Sequence, residues 1–133
     1  MPKIFLVGNH EMQSKDLFVN STNLFNYLPS STVVQKPITY PLTNTYDITF
    51  IPYQLPNEIS NSISDNISNT NCLHHLICSH IDLKGVNMGT FISEAGYDLD
   101  DILNSCDMLI NGHLHNGTEV VKNRIINIGN ICG

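Results

Sequence analysis

Short apolar runs recur along the chain, and each is stopped by a polar, proline-bearing or glycine-bearing cluster. Residues 3–7 run Lys-Ile-Phe-Leu-Val and end at Gly8, which predicts a strand buried on both faces. Residues 14–28 carry Leu17, Phe18, Leu24, Phe25 and Leu28 at rough helical spacing, with Ser14 as N-cap and Pro29 as stop. This predicts a helix. Residues 32–35, 38–42 and 46–51 read as short strands punctuated by Pro37, Pro41 and Pro52. Pro56 opens a second predicted helix, on which Ile59, Ile63 and Ile67 form one apolar stripe. Its Ser and Asn content gives it weak intrinsic propensity, so packing must hold it.

The second half is more regular. Residues 72–79 and 108–110 predict two further buried strands, and residues 99–103 a short helix. A glycine-bearing loop covers 84–96. The tail reads as a hairpin, 118–121 and 124–128, turned at Lys122-Asn123. Strands alternating with helices, then paired strands, predict an α/β layered sandwich.

Composition narrows the function classes. The chain has 133 residues, enough for one domain or part of one, and 41% of them are hydrophobic, as in globular chains. Six basic residues stand against twelve acidic ones, for a net charge of −6. The cations are scattered, so the chain does not grip nucleic acid or anionic lipid by its own electrostatics. Cys72, Cys78, Cys106 and Cys132 form no C-x-x-C pair, which excludes a zinc ribbon and a thioredoxin-like motif. The expected setting is reduced and cytoplasmic, with no secretory leader and no membrane span.

Three predicted strands end in histidine clusters: Gly8-Asn9-His10-Glu11, Ser79-His80 and Gly112-His113-Leu114-His115. Sites in open α/β sheets gather beyond the carboxyl ends of strands, so the three clusters are expected to converge. Imidazoles with carboxylate and amide oxygens suit Mn, Fe, Zn or Ni. His113 and His115 are two apart and point the same way in an extended segment. Tyr53 is a candidate lining residue, although aromatics in such positions more often pack. His74 and His75 sit within a strand, one expected to pack and the other to face out.

With Asn127-Ile128-Gly129-Asn130 added, the ordered motifs resemble the calcineurin-like metallophosphoesterases over nearly the whole chain. Residues 47–53, Asp-Ile-Thr-Phe-Ile-Pro-Tyr, and the stretch from Gly96 to His115 resemble the SbcD-type DNA repair nucleases. The resemblance implies a metallophosphoesterase-like layered β-sandwich flanked by helices, two divalent metal ions, manganese first, and hydrolysis of a phosphodiester by in-line attack. It implies Asn9, His80 and His113 as ligands of one metal and His115 as a ligand of the other. His10 matches the histidine beside the scissile phosphate, and Glu11 is expected to orient it. DNA and an SbcC-type coiled-coil ATPase are the implied partners, the bound ions offsetting the acidic charge locally.

The sequence departs from the family at its start. The family's Asp-x-His and Gly-Asp motifs have no counterpart ahead of Asn9, so the bridging carboxylate is missing. Residues 1–133 therefore correspond to a partial catalytic domain lacking the first strands, with the N-terminal half as a missing partner. The hydrophobic sheet edge left behind predicts self-association. Two other readings stand beside the nuclease: a phosphodiesterase or phosphatase acting on small molecules or phosphoproteins, and an inactive fragment or interaction module without catalysis.

Overall fold

The computed structural model describes residues 1–12, 20–55, 63–67, 71–87 and 90–129. Its architecture is α/β, with a mixed sheet and few helices. β1 (Lys3–Leu6) and β2 (Ser31–Val34) pair in parallel as a small two-stranded sheet. The other strands are β3 (Ile38–Pro41), β4 (Tyr46–Ile51), β5 (His74–Ser79), β6 (Met108–Asn111), β7 (Thr118–Val121) and β8 (Ile125–Asn127). They form a six-stranded sheet in the order β3-β4-β5-β6-β8-β7. Its four central strands run parallel, and the two edge strands run antiparallel to their neighbours. No helix among the described residues is long and apolar enough to cross a membrane.

Alternation along the central strands decides what is buried. On one face Thr49 and Ile51 of β4, Ile77 and Ser79 of β5, Leu109 and Asn111 of β6, and Ile125 and Asn127 of β8 are buried. That face is covered by Ile63, Leu83, Tyr97 and by Ile102 of the helix α1 (Leu99–Ser105). Three polar members of this face, Ser79, Asn111 and Asn127, lie at the carboxyl ends of their strands, beneath the histidine clusters.

α1 is short and held by its ends. Asp98 caps it by accepting from the Asp100 N–H at 3.0 Å, and Asp100 and Asp101 complement the helix dipole in the first turn. At the other end Arg124 donates from Nη2 to the carbonyls of Leu103 (2.8 Å) and Cys106 (2.9 Å), and from Nε to Asp107 (2.7 Å). Asp101 also accepts from the Ile63 N–H at 2.6 Å, which fixes that segment on the core.

Two expectations from the apolar pattern are corrected. β1 is not buried on both faces: Ile4 is exposed, and Phe5 and Leu6 are half-buried. Among the described residues β1 pairs with β2 alone. The predicted helix over 14–28 lies partly outside the described residues, its Ser14 cap included. Its described part, Ser21–Tyr27, is a 3-10 helix with Leu24 and Tyr27 exposed. The Ser-Thr-Asn sequence there competes for backbone hydrogen bonds and disfavours a regular α-helix. Phe25 is held instead by stacking on Phe5, ring centroids 4.4 Å apart. Of the second predicted helix only Ile63–Asn66, a 3-10 turn, and Ile67 are described near the stripe, and Ile63 is fully buried. Cys106 is buried, Cys72 and Cys78 are half-buried, and Cys132 lies outside the described residues.

Candidate metal and phosphate site

The parallel strands point their carboxyl ends the same way, and short backbone bonds tie those ends together. The Tyr53 N–H donates to Val7 at 2.8 Å, His80 to Ile51 at 3.0 Å, Gly112 to Ser79 at 2.9 Å and Ile128 to Asn111 at 3.0 Å. The residues that follow each strand therefore emerge side by side.

Asn9, His80 and His113 come together there. Asn9 Oδ1 lies 3.1 Å from His80 Nε2, and the rings of His80 and His113 are 4.9 Å apart, edge to face. Tyr53 stands over both, 6.5 Å from the His80 ring and 5.8 Å from that of His113. Burial raises the pKa of its phenol, and the Asp82 carboxylate adds to that. His10 and His115 form the outer part, ring centroids 6.2 Å apart and both exposed. A cleft of about 330 Å³ is lined by Asn9, His10, His113 and His115 together with Asn87 and Phe91.

Burial pushes the His80 imidazole down to about 4, with His113 and then His10 adding to the shift and Asp82 opposing it. Its ring is neutral at physiological pH, the form a metal ligand requires. His113 Nε2 is 2.8 Å from Asp82 Oδ1, while its Nδ1 is buried with no hydrogen-bond partner among the described residues. Glu11 closes the turn: its Oε2 accepts from the Gly8 N–H at 3.0 Å. This bond holds the backbone two residues before His10.

Two buried asparagines brace the loops that carry the histidines. Asn111 Oδ1 accepts from Ser79 Oγ and from the Ile81 N–H, each at 3.0 Å, and its Nδ2 donates to the Ile81 carbonyl at 3.0 Å. Asn127 does the same for the segment around His115, through Leu114 and Asn116. Their bracing, and the Asp82 contact, join residues remote in sequence and carry no local signature; Asn111 and Asn127 stand out only as polar residues ending apolar strands.

The donor set suits one divalent cation. Two imidazoles and an amide oxygen converge, and the Nδ1 of His113 is buried without a hydrogen-bond partner among the described residues. A second ion has weaker support, since His115 stands beside His10 without a carboxylate described between them. Among the described residues no three His, Cys, Asp or Glu side chains form a ready-made metal cage.

At the amino-terminal end of the same sheet His75 lies between Asp47 and Thr49: Nδ1 contacts Asp47 Oδ1 and Nε2 is 3.0 Å from Thr49 Oγ1. His74 faces outward, stacked on Tyr46 at 4.5 Å. The pair divides as its place in a strand requires, one packed and one turned out.

Comparison of the chain with protein families, with curated proteins and with solved structures found no match.

Proposed function

We propose that the chain carries the phosphate-binding part of a metal-dependent phosphodiesterase of the calcineurin-like kind, most like the nuclease subunit of an SbcD-type repair complex. The observation that carries this reading is the convergence of Asn9, His80 and His113, with His10 and His115 beside them, at the carboxyl ends of the strands.

Asn9, His80 and His113 would hold a divalent cation, with His115 as the ligand nearest a second; such ions neutralise phosphate charge and activate water for in-line attack. The chain's own residues do the rest. His10 is exposed at the mouth of the cleft, free to hydrogen-bond a phosphate oxygen and to give a proton to the leaving oxygen. Glu11 holds the turn that presents His10, by engaging the Gly8 N–H. Asn111 and Asn127 fix the backbone beside His80 and around Leu114, so the imidazoles meet the substrate already placed. The mixed lining of Asn87, Phe91 and the imidazoles suits a phosphodiester flanked by nucleosides.

The test is hydrolysis of bis(p-nitrophenyl) phosphate and of end-labelled duplex DNA with Mn²⁺. Turnover that needs the metal and is lost in His10→Ala supports the reading, and preference for DNA ends supports the nuclease form. Metal-independent turnover, or full activity in His10→Ala, overturns it.

A further inference from the structure

The residue beside His113 has no role in the resemblance, yet the geometry gives it one. Asp82 Oδ1 is 2.8 Å from His113 Nε2, and the two side chains are only 21% and 10% exposed. The backbone of Asp82 is held from both sides. Asn111 engages the N–H and carbonyl of the preceding Ile81, and the Asp82 carbonyl accepts from the Tyr97 N–H at 3.0 Å. Gly96, at φ +111°, packs so closely that an added Cβ would sit 2.4 Å from the Asp82 carbonyl oxygen. Asp82 is therefore a placed carboxylate and not a wandering surface charge.

We propose that Asp82 is a positioning residue for His113: it accepts a hydrogen bond from Nε2–H and thereby leaves the Nδ1 lone pair to a divalent cation. An ionised carboxylate only accepts, so the short contact puts the proton on Nε2. A neutral imidazole has one N–H, so Nδ1 is left as an acceptor. That nitrogen is buried and unpartnered among the described residues. A buried acceptor without a partner is unfavourable, and a cation relieves it. A carboxylate behind a ligating imidazole also raises its basicity and fixes the ring.

This inference takes the identity of its ligand from the metallohydrolase reading, and the experiment separates the two. Two-bond ¹H–¹⁵N correlation on the full-length, metal-free chain reads which nitrogen of His113 carries the proton. Mn²⁺ titration by calorimetry then reads affinity in the wild type, Asp82→Asn and Asp82→Ala. The expected tautomer is Nε2–H in the wild type and in Asp82→Asn, which keeps an acceptor oxygen, and it is lost in Asp82→Ala. Mn²⁺ affinity is expected to fall about 10- to 100-fold in Asp82→Ala, with Asp82→Asn between. A proton on Nδ1 in the wild type overturns the proposal without needing any variant to fold. Unchanged Mn²⁺ affinity in a folded Asp82→Ala overturns it as well. Absence of Mn²⁺ binding in the wild type removes the metal reading and the cation part of this one, whatever the tautomer.

Discussion

The side-chain amide of Asn127 grips the backbone of Leu114 from both directions, accepting from its N–H at 3.2 Å and donating to its carbonyl at 2.6 Å. A third bond runs from Nδ2 to the carbonyl of Asn116 at 2.7 Å. Asn127 is 1% exposed, so no water replaces these bonds when they are lost. Asn127→Asp keeps the shape but turns two donors into acceptors facing two carbonyls. The expected loss of stability is about 2–4 kcal/mol, larger than for most isosteric changes. Urea unfolding of both chains measures it.

That contact also marks how far the sequence could be read. Strands β4, β5, β6 and the closing hairpin were legible because apolar runs end at Pro, Ser-His or Asn-Gly, and local rules suffice there. The histidine clusters were legible for the same reason: each follows such a run. The braces were not, because Asn127 and Leu114 are 13 positions apart and Asn111 and Ile81 are 30 apart. Which buried polar group meets which loop is settled by strand order, and periodicity does not encode strand order. β1 was misjudged because an apolar run reports hydrophobicity and not the number of strands that flank it. The 3-10 segment Ser21–Tyr27 shows the converse, sparse helical spacing without helical propensity.

Gly8 is packed where a side chain has no room. An added Cβ would lie 2.4 Å from Glu11 Oε2 and 3.0 Å from His80 Cε1 and Nε2. Gly8→Ala must push the Glu11 carboxylate off the Gly8 N–H and move the His80 ring away from Asn9. A destabilisation of about 1–3 kcal/mol is expected, together with weaker Mn²⁺ binding. Thermal unfolding and calorimetric titration of the same sample separate the two effects.

Arg124 closes the C-terminal end of α1 with three carbonyl bonds. Arg124→Ala leaves those carbonyls to water and removes a favourable charge from the helix terminus. The expected cost is about 1–2 kcal/mol, with Arg124→Lys recovering part of it. Circular dichroism during thermal unfolding checks the order wild type, Lys, Ala.

Burial raises the Cys106 thiol from 9.0 to about 11; Arg124 pulls it down and Asp107 pushes it up by smaller amounts. The folded chain holds this proton more tightly than the unfolded chain does. Its contribution to stability is complete below pH 9.0 and is lost as the pH rises toward about 11. The difference in unfolding free energy between wild type and Cys106→Ala should shrink across that window. A constant difference would contradict the assignment.

The site straddles two pieces of unequal tenacity. Asn9 and His10 follow β1, which has a single strand neighbour among the described residues and is exposed over its first half, while His80 and His113 rise from the middle of the six-stranded sheet. Amide hydrogens of Lys3–Leu6 should therefore exchange with solvent well before those of Ile77 and Leu109, through local opening of the small sheet. A ligand that bridges Asn9 and His80 would lend the protection of the stronger piece to the weaker one, so binding would register first as slowed exchange at the amino terminus.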